Sequence, residues 1–448
     1  MFIDFLLNVF RKTETNNAVV WRDQALNYQW LLNRTEYWRN KIHSEQVDTG
    51  RVVVLEADFS PNAVALFLAL IEQGCILVPL TSASDSKRDE FIELTQAEVL
   101  FSVDVDDEIQ VTRFDRLASH DLYDNLRCKG HPGLVLFSSG STGQCKAAVH
   151  DLVPLLEKFK QPRHSLRTIS FLLYDHIGGI NTMMYTFSNG GCLVTVQDRS
   201  PDSVLATVEK HRVELLPTSP TFLNLVLISE AFRDYDLSSL KTVTYGTEPM
   251  PESTLKLFNE RFPHIRLLQT YGLSEVGILR SKSRSSDSLW MKIGGEGFDT
   301  RVVDGILQIK AQSAMLGYLN APSPFRDDGW LNTGDRVEVQ DEYIRILGRE
   351  SEIINVGGEK VYPAEVESVI QELENVADAV VVGETNSITG QIVCAKVQLI
   401  QPEEPKAFIN RLKIYCQSRF QKYKVPVKVE IVAGSQHSSR FKKLHKTA

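Results

Sequence analysis

"FSSGSTGQCKAAVH", residues 137–150, gathers two glycines and five hydroxyl or thiol side chains around a single lysine, Lys146. An apolar run of strand length, "GLVLF" (133–137), leads into it, and "DLVPLLEKFKQ" (151–161), with apolar spacing suited to a helix, follows. A strand, a Gly/Ser/Thr turn and then a helix is an arrangement in which backbone N–H groups converge on an anion. Read alone, the stretch is equally an ordinary polar loop. Lys146 is then a phosphate clamp, a nucleophile or a surface charge, and the rest of the chain has to decide.

Length and composition frame that decision. At 448 residues the chain is too long for one compact core, so two or more domains are expected. Its 43% hydrophobic and 24% charged residues are those of a soluble globular protein. A net charge of −8 gives no basic footprint, so no nucleic-acid partner is expected. Six cysteines (75, 128, 145, 192, 394 and 416) are scattered without a CxxC pair, which suggests neither a zinc site nor a disulfide framework and fits a reducing cytoplasm. The most apolar stretch (63–80) is interrupted by Glu72, Gln73 and Gly74 and reads as a buried helix followed by a strand, so no membrane span is expected. The N-terminal "MFIDFLLNVFRK" has Asp4 where a signal peptide carries positive charge, and reads as an amphipathic first helix.

Strand and helix patterns alternate through most of the chain. "VVVLE" (52–56), "CILVPL" (75–80), "TISFLLY" (168–174), "GCLVTV" (191–196) and "LKTVTYG" (240–246) are predicted strands, with helices over 203–212 and 252–262. This alternation implies a largely parallel sheet covered by helices. After residue 290 the pattern changes to short strands and Gly/Asp turns, "GFDTRVVDGILQIKA" and "RVEVQDEYIRILG", which read as antiparallel meanders. A small α+β unit begins beyond 348–351, with Pro363 near the start of a helix.

Three further stretches carry chemistry. "LQTYGLSEVG" (268–277) sets an aromatic face, a hydroxyl and a carboxylate close together, suited to a base, a phosphate oxygen and Mg²⁺ respectively, although a capped helix start would read the same way. "DDGWLNTGDRVEV" (327–339) places Asp335 after Thr333 and Gly334 at an expected tight turn, where a carboxylate can accept both hydroxyls of a ribose or simply belong to a β-turn. "GRESEIINVGGEKVYPAEVE" (348–367) has Arg349 at the domain boundary and a glycine pair on a loop.

In this order and spacing the motifs resemble the adenylate-forming superfamily of acyl-CoA synthetases, peptide-synthetase adenylation domains and luciferases. The resemblance runs from "VVWRDQALNYQWLLNR" near the N-terminus to the lysine-rich tail. It implies an α/β fold: a large N-terminal domain (1–348) of parallel-rich sheets plus a β-meander subdomain, and a small mobile C-terminal α+β domain (349–448). It also implies a two-step acid–thiol ligase that uses ATP, Mg²⁺ and CoA or a carrier-bound phosphopantetheine. A carboxylate is a poor electrophile, so it first attacks the α-phosphorus of ATP, giving acyl-AMP and pyrophosphate. A thiolate then attacks the acyl-AMP and releases AMP. Positioned donors and Mg²⁺ have to hold the phosphate charge in the first step.

Carried over residue by residue, the resemblance implies that Ser139, Gly140, Ser141, Thr142 and Gly143 wrap the β- and γ-phosphates with Lys146 as a point-charge clamp. Tyr271 and Gly272 would meet adenine and Ser274 the α-phosphate, with Thr247 and Glu248 also at the nucleotide. Glu275 would hold Mg²⁺, Asp335 the ribose with help from Arg349, and Gly357 and Gly358 would line the pantetheine tunnel. The tail "HSSRFKKLHKTA" has Phe where most members have Gly before the adenylation lysine, which selects Lys442 with Lys443 as its neighbour. Other departures are Cys145 in place of Pro, Ala147 in place of Gly, and Ser351 at the hinge in place of Asp or Lys. "LLYDHIGGINTMMY" (172–185) is expected to line the acyl pocket, with His176 at its entrance. Asp175 is the alternative there, as the ligand of an amino acid's ammonium. The small residues Gly178, Gly179, Gly246 and Gly277, with Tyr245, are expected to shape the cavity.

The rival readings are an amino-acid adenylation domain loading a carrier protein and a non-catalytic acyl-adenylate binder. A P-loop NTPase fails on the spacing of "GSTGQCKA", and a Rossmann dehydrogenase fails because "GGEGFDT" (294–300) lies in the meander region.

Overall fold

The computed structural model of the protein describes residues 1–139, 145–434, 437 and 443, with Ser82, Ala83, Asp85 and Ser139 described by their backbone only. Two seven-stranded sheets form the bulk of the N-terminal part. The first runs in the order Arg266–Gln269, Thr242–Tyr245, Leu215–Thr218, Arg167–Ile169, Cys192–Val194, Asn17–Trp21, Gln24–Asn27, and it is parallel until its final hairpin. In the second, Gly133–Ser139, Ile76–Leu80, Val52–Glu56 and Val99–Val103 are parallel neighbours, and antiparallel strands extend both edges. Strands covered on both faces need no polar alternation, which is why "VVVLE" and "ILV" read as continuous apolar runs.

The helix Pro61–Gln73 is apolar on every side and buried along most of its length, as a helix enclosed between layers must be. Ser60 caps its start by accepting from Ala63 N, and Gly74 closes it at φ +76°. The N-terminal segment does form an amphipathic helix, Asp4–Lys12, which buries Leu6, Leu7 and Phe10 in the same core.

A six-stranded antiparallel sheet follows, with the hairpins Phe298–Val303/Ile306–Ala311 and Leu331–Gln340/Tyr343–Arg349. The Asp304–Gly305 pair turns the first hairpin with both φ values positive, as a two-residue loop between twisted strands requires. From Ile354 onward a five-stranded sheet and the helices Pro363–Gln371 and Pro405–Arg419 enclose a separate core that includes Val366, Ile370, Val381, Val393, Phe408 and Leu412. Among the described residues no helix is long and apolar enough to cross a membrane.

Several local expectations are corrected. The opening stretch does not pass from strand through loop to helix. A strand, Cys145–Asp151, comes first and pairs antiparallel with Gly133–Ser139, so a strand and not a helix follows residues 140–144, which lie outside the described residues. The expected helix starts afterwards, at Leu152, and continues as a 3₁₀ turn to Lys160. "TISFLLY" is a strand only as far as Ile169; its later apolar residues Phe171 and Tyr174 are buried by a loop instead of a sheet. "YGLSEVG" is a hairpin, Tyr271–Leu273 against Gly277–Leu279, and "TGD" lies inside the ten-residue strand Leu331–Gln340 instead of at a tight turn.

Candidate active site

Asp335 lies opposite Arg349 in the register of the Leu331–Gln340/Tyr343–Arg349 hairpin. Gly334 precedes it at φ +72°, a conformation that favours glycine. The Asp335 side chain is buried, with Oδ1 3.0 Å from Arg349 Nε, while Oδ2 accepts the Tyr271 hydroxyl. Burial raises the Asp335 pKa, the Arg349 charge and the Tyr271 bond oppose it, and the Glu275 charge adds to the rise; the net direction is upward. Burial, with the charge of Asp335, keeps the Tyr271 phenol protonated, so Tyr271 is a fixed donor. A carboxylate offers about four acceptor positions, so two neutral hydroxyls can still join this one.

The neighbouring Tyr271–Leu279 hairpin presents Glu275. Its carboxylate accepts the Tyr318 hydroxyl, and its backbone carbonyl accepts Met315 N at 2.8 Å. Lys146 Nζ sits 5.2 Å from the centre of the Tyr318 ring, a cation–π distance. Tyr318 lies opposite Ala148 on the edge strand Gly317–Tyr318, and Asn320 clamps the lysine-bearing strand from the same side, accepting Ala147 N at 3.0 Å and donating to Cys145 O at 2.8 Å. His150, on that same lysine-bearing strand, places Nε2 2.6 Å from Ser274 O. Burial lowers its pKa to about 4, so a neutral imidazole ties the Lys146 strand to the Ser274–Glu275 hairpin. The sequence reading missed Tyr318, Asn320 and His150 as parts of the site. "LGYLN" (316–320) carries no spacing that marks it, and His150 closes a stretch that reads as a turn before a helix.

Mg²⁺ is commonly held by one or two carboxylates and completed by phosphate oxygens and water, and the Glu275 carboxylate fits that role. Among the described residues no cluster of three or more His, Cys, Asp or Glu forms an all-protein metal cage.

Thr247 follows the Thr242–Tyr245 strand at φ +75°, a strained conformation for a β-branched residue. Glu248 is half-buried, and both of its carboxylate oxygens accept. One oxygen accepts Thr221 N (2.8 Å) and Thr221 Oγ1 (2.5 Å), and the other accepts the backbone N–H of Lys443 at 3.0 Å. Burial raises its pKa against those bonds.

Two of the glycines expected to shape the cavity sit against neighbouring backbone or side chains. A Cβ on Gly179 would meet the Leu173 carbonyl oxygen at 2.0 Å, and one on Gly246 would meet Thr270 Oγ1 at 2.6 Å, so both permit close backbone packing. A Cβ on Gly272 would meet the Gly277 carbonyl oxygen at 2.8 Å. His176 is half-buried and caps the helix Ile177–Ser188, its Nδ1 accepting from Gly178 N at 3.0 Å. Asp175 is buried, with Oδ2 taking the hydroxyls of Thr81 (3.1 Å) and Ser84 (2.9 Å).

Gly140, Ser141, Thr142, Gly143 and Lys442 lie outside the described residues. Lys443 lies inside them and is buried, its ammonium 3.2 Å from Glu367 Oε2, 3.3 Å from Asp378 Oδ1 and 2.9 Å from Ala379 O. Gly357 and Gly358 sit on an exposed turn at φ +63° and +94°, with open space where a side chain would go.

Two family descriptions match this chain: "AMP-binding enzyme" over residues 8–294 and "AMP-binding enzyme C-terminal domain" over residues 365–442. The chain belongs to the AMP-binding enzyme family. Among its relatives, a long-chain-fatty-acid–CoA ligase of Mycobacterium tuberculosis, FadD13, is 26% identical over 419 residues, covering 82% of each chain. A 2-succinylbenzoate–CoA ligase of Bacillus pumilus is 24% identical over 467 residues, covering 96% of this chain and 94% of its own. The fold is shared with the crystal structure of the anthranilate CoA ligase AuaEII in complex with anthranoyl-AMP (TM-score 0.81, 19% identity, 98% and 95% coverage). It is shared equally with MenE of Bacillus subtilis in complex with its acyl-adenylate intermediate (TM-score 0.78, 21% identity, 99% and 97% coverage).

Proposed function

We propose that the protein activates a carboxylic acid with ATP and passes the acyl group to a pantetheine thiol, with free CoA as acceptor and a carrier-borne arm as the alternative. The observation that carries this reading is the pair of anchored carboxylates, Asp335 beside Arg349 and Tyr271, and Glu275 beside Tyr318, whose ring Lys146 covers, in a chain matched over residues 8–294 and 365–442 by the two halves of one family.

In the first step an acid oxygen attacks the α-phosphorus, the bond to the β-phosphate breaks and pyrophosphate leaves. Asp335 accepts the ribose hydroxyls, and Tyr271, pinned by its own hydroxyl, offers its ring to adenine. Ser274 meets the α-phosphate. Lys146, steadied over Tyr318, offsets the charge of the phosphates together with the glycine-rich hairpin turn. Glu275 would hold Mg²⁺, which neutralises phosphate charge as pyrophosphate departs. Lys442 delivers a positive charge to the reacting acid. In the second step a thiolate attacks the acyl carbon, and AMP leaves with the electron pair of the broken C–O bond. Rotation of the C-terminal unit about 349–351 would exchange Lys442 for the Gly357–Gly358 turn between these steps.

His176 is the proposed pocket-entrance residue. The hydroxyls of Thr81 and Ser84 hold one carboxylate oxygen of Asp175, which stays the alternative as the ligand of an amino acid's ammonium. Carboxylate-dependent pyrophosphate release, measured across fatty, aryl and amino acids with and without CoA, tests the proposal. Release with one acid class and CoA-dependent thioester formation is the expected result. Binding of an acyl-sulfamoyl-adenosine without any turnover would make the protein a binder instead.

A further inference from the structure

Lys443 belongs to two bodies at once. Its side chain is locked into the C-terminal unit, where Glu367, Asp378 and the Ala379 carbonyl surround the ammonium and match its three donors. Glu367 is itself fixed, its Oε1 accepting Val381 N at 2.9 Å. The backbone N–H of the same residue leaves that unit and reaches Glu248 Oε2 at 3.0 Å. Glu248 is in turn set by both donors of Thr221, at the start of the helix Pro220–Ser229.

Among the described residues, the other hydrogen bonds nearby across this boundary are uncharged: Asn224 Nδ2 to Ala377 O at 2.9 Å, and Ser368 Oγ with Ser253 N at 3.3 Å and with Ser253 Oγ at 3.5 Å. The Glu248 bond involves a carboxylate, and such bonds are about twice as strong as neutral ones. If the C-terminal unit turns, the buried ion pairs carry Lys443 with it, because breaking them would strand charge. The bond that gives way is the one to Glu248.

We propose that Glu248 and Lys443 form an orientation latch, in which Glu248 holds the tail by the Lys443 N–H in the adenylating arrangement and releases it for thioester formation. This rests on the reading above that the tail carries the adenylation lysine, which is covalently next to the latch. Glu248 is thus a positioning residue.

The test compares the full-length protein with Glu248→Gln, which keeps the shape but turns an amide N–H₂ toward one of the donors. Carboxylate-dependent pyrophosphate exchange should fall about tenfold or more, the scale of one hydrogen bond to a charged group. Thioester formation from supplied acyl-AMP should fall by clearly less than pyrophosphate exchange, and deuterium exchange of the Lys443 amide should accelerate. Unchanged amide protection overturns the latch whatever the activity, and an equal loss in both half-reactions overturns it by assigning Glu248 to the acyl-adenylate itself. Absence of pyrophosphate exchange in the wild type would overturn the functional reading alone, since amide exchange reports the latch without turnover. Should Glu248→Gln unfold, Thr221→Val, which removes one donor to the other oxygen, carries the same comparison.

Discussion

Arg349 and Asp335 are cross-strand partners whose side chains meet at 3.0 Å, one half-exposed and the other buried. The asymmetry matters, because the net rise in the Asp335 pKa says that burial outweighs the help from Arg349 and Tyr271. A carboxyl with a raised pKa disfavours the folded state once it is ionised; that penalty is absent at low pH and present at neutral pH. Asp335→Asn should therefore leave thermal stability at neutral pH unchanged or higher, since Arg349 can be solvated where it stands. The same change should weaken ATP binding about ten- to hundredfold through lost bonds to a charged acceptor. Thermal unfolding and ATP titration measure the two effects, and a loss of stability with intact ATP affinity would contradict the ribose assignment.

How much of this was legible depends on the distance between partners in sequence. The central strands and the helix Pro61–Gln73 are written locally, as apolar runs bounded by Ser60, Pro61 and Gly74. Asp335 and Arg349 stood out because each sits in a motif. Asn320 did not, because its meaning comes from Cys145, 175 residues away along the chain. "CKAAV" has no strand signature of its own; it becomes a strand by pairing with Gly133–Ser139 and Gly317–Tyr318. The ion pairs of Lys443 are illegible in sequence for the same reason, since Glu367 and Asp378 lie far upstream of it.

The two tail lysines should separate cleanly. Lys443→Met leaves Glu367 and Asp378 buried without their cation, which should destabilise the C-terminal unit by about 3–5 kcal/mol. Lys442→Ala should leave unfolding unchanged, largely abolish pyrophosphate exchange and spare thioester formation from supplied acyl-AMP. The reverse pattern would move the adenylation role to Lys443.

The turn at Gly357 and Gly358 allows a test without backbone strain. Gly357 lies at φ +63°, which asparagine tolerates, with nothing within 4 Å of a new Cβ. Gly357→Asn should preserve folding and pyrophosphate exchange while slowing thioester formation by narrowing the tunnel. Gly358, at φ +94°, is a poorer choice, because any side chain there adds strain. Equal loss of both half-reactions in Gly357→Asn would remove the tunnel assignment.

Limited proteolysis should cut first near Arg349–Ser351, where the meander ends and exposed residues 350–352 form a single 3₁₀ turn before the C-terminal core. An acyl-sulfamoyl-adenosine should slow that cut, because ribose on Asp335 steadies the strand that Arg349 ends. Cleavage at the same rate with saturating analogue would argue against a hinge coupled to the nucleotide.

Lys158 gives the protein a pH signature of its own. The residue is half-exposed overall, but its ammonium is enclosed, donating to Ile278 O at 2.8 Å and lying 5.0 Å from the Phe159 ring centre. Burial, with the nearby charge of Arg280, lowers its pKa from 10.5 to about 7. A base with a depressed folded pKa favours the fold most when neutral, so its penalty is small above 10.5, grows as pH falls, and is complete below about 7. Lys158→Met keeps the apolar stem over Phe159 and removes the charge. It also leaves the Ile278 carbonyl without this donor, a cost that does not vary with pH. The melting temperature of the variant relative to wild type should therefore rise as the pH is lowered from about 10 to 7 and level off below that. A difference that stays constant over this range would mean that Lys158 keeps its proton in the fold, and that its ammonium is solvated instead of enclosed.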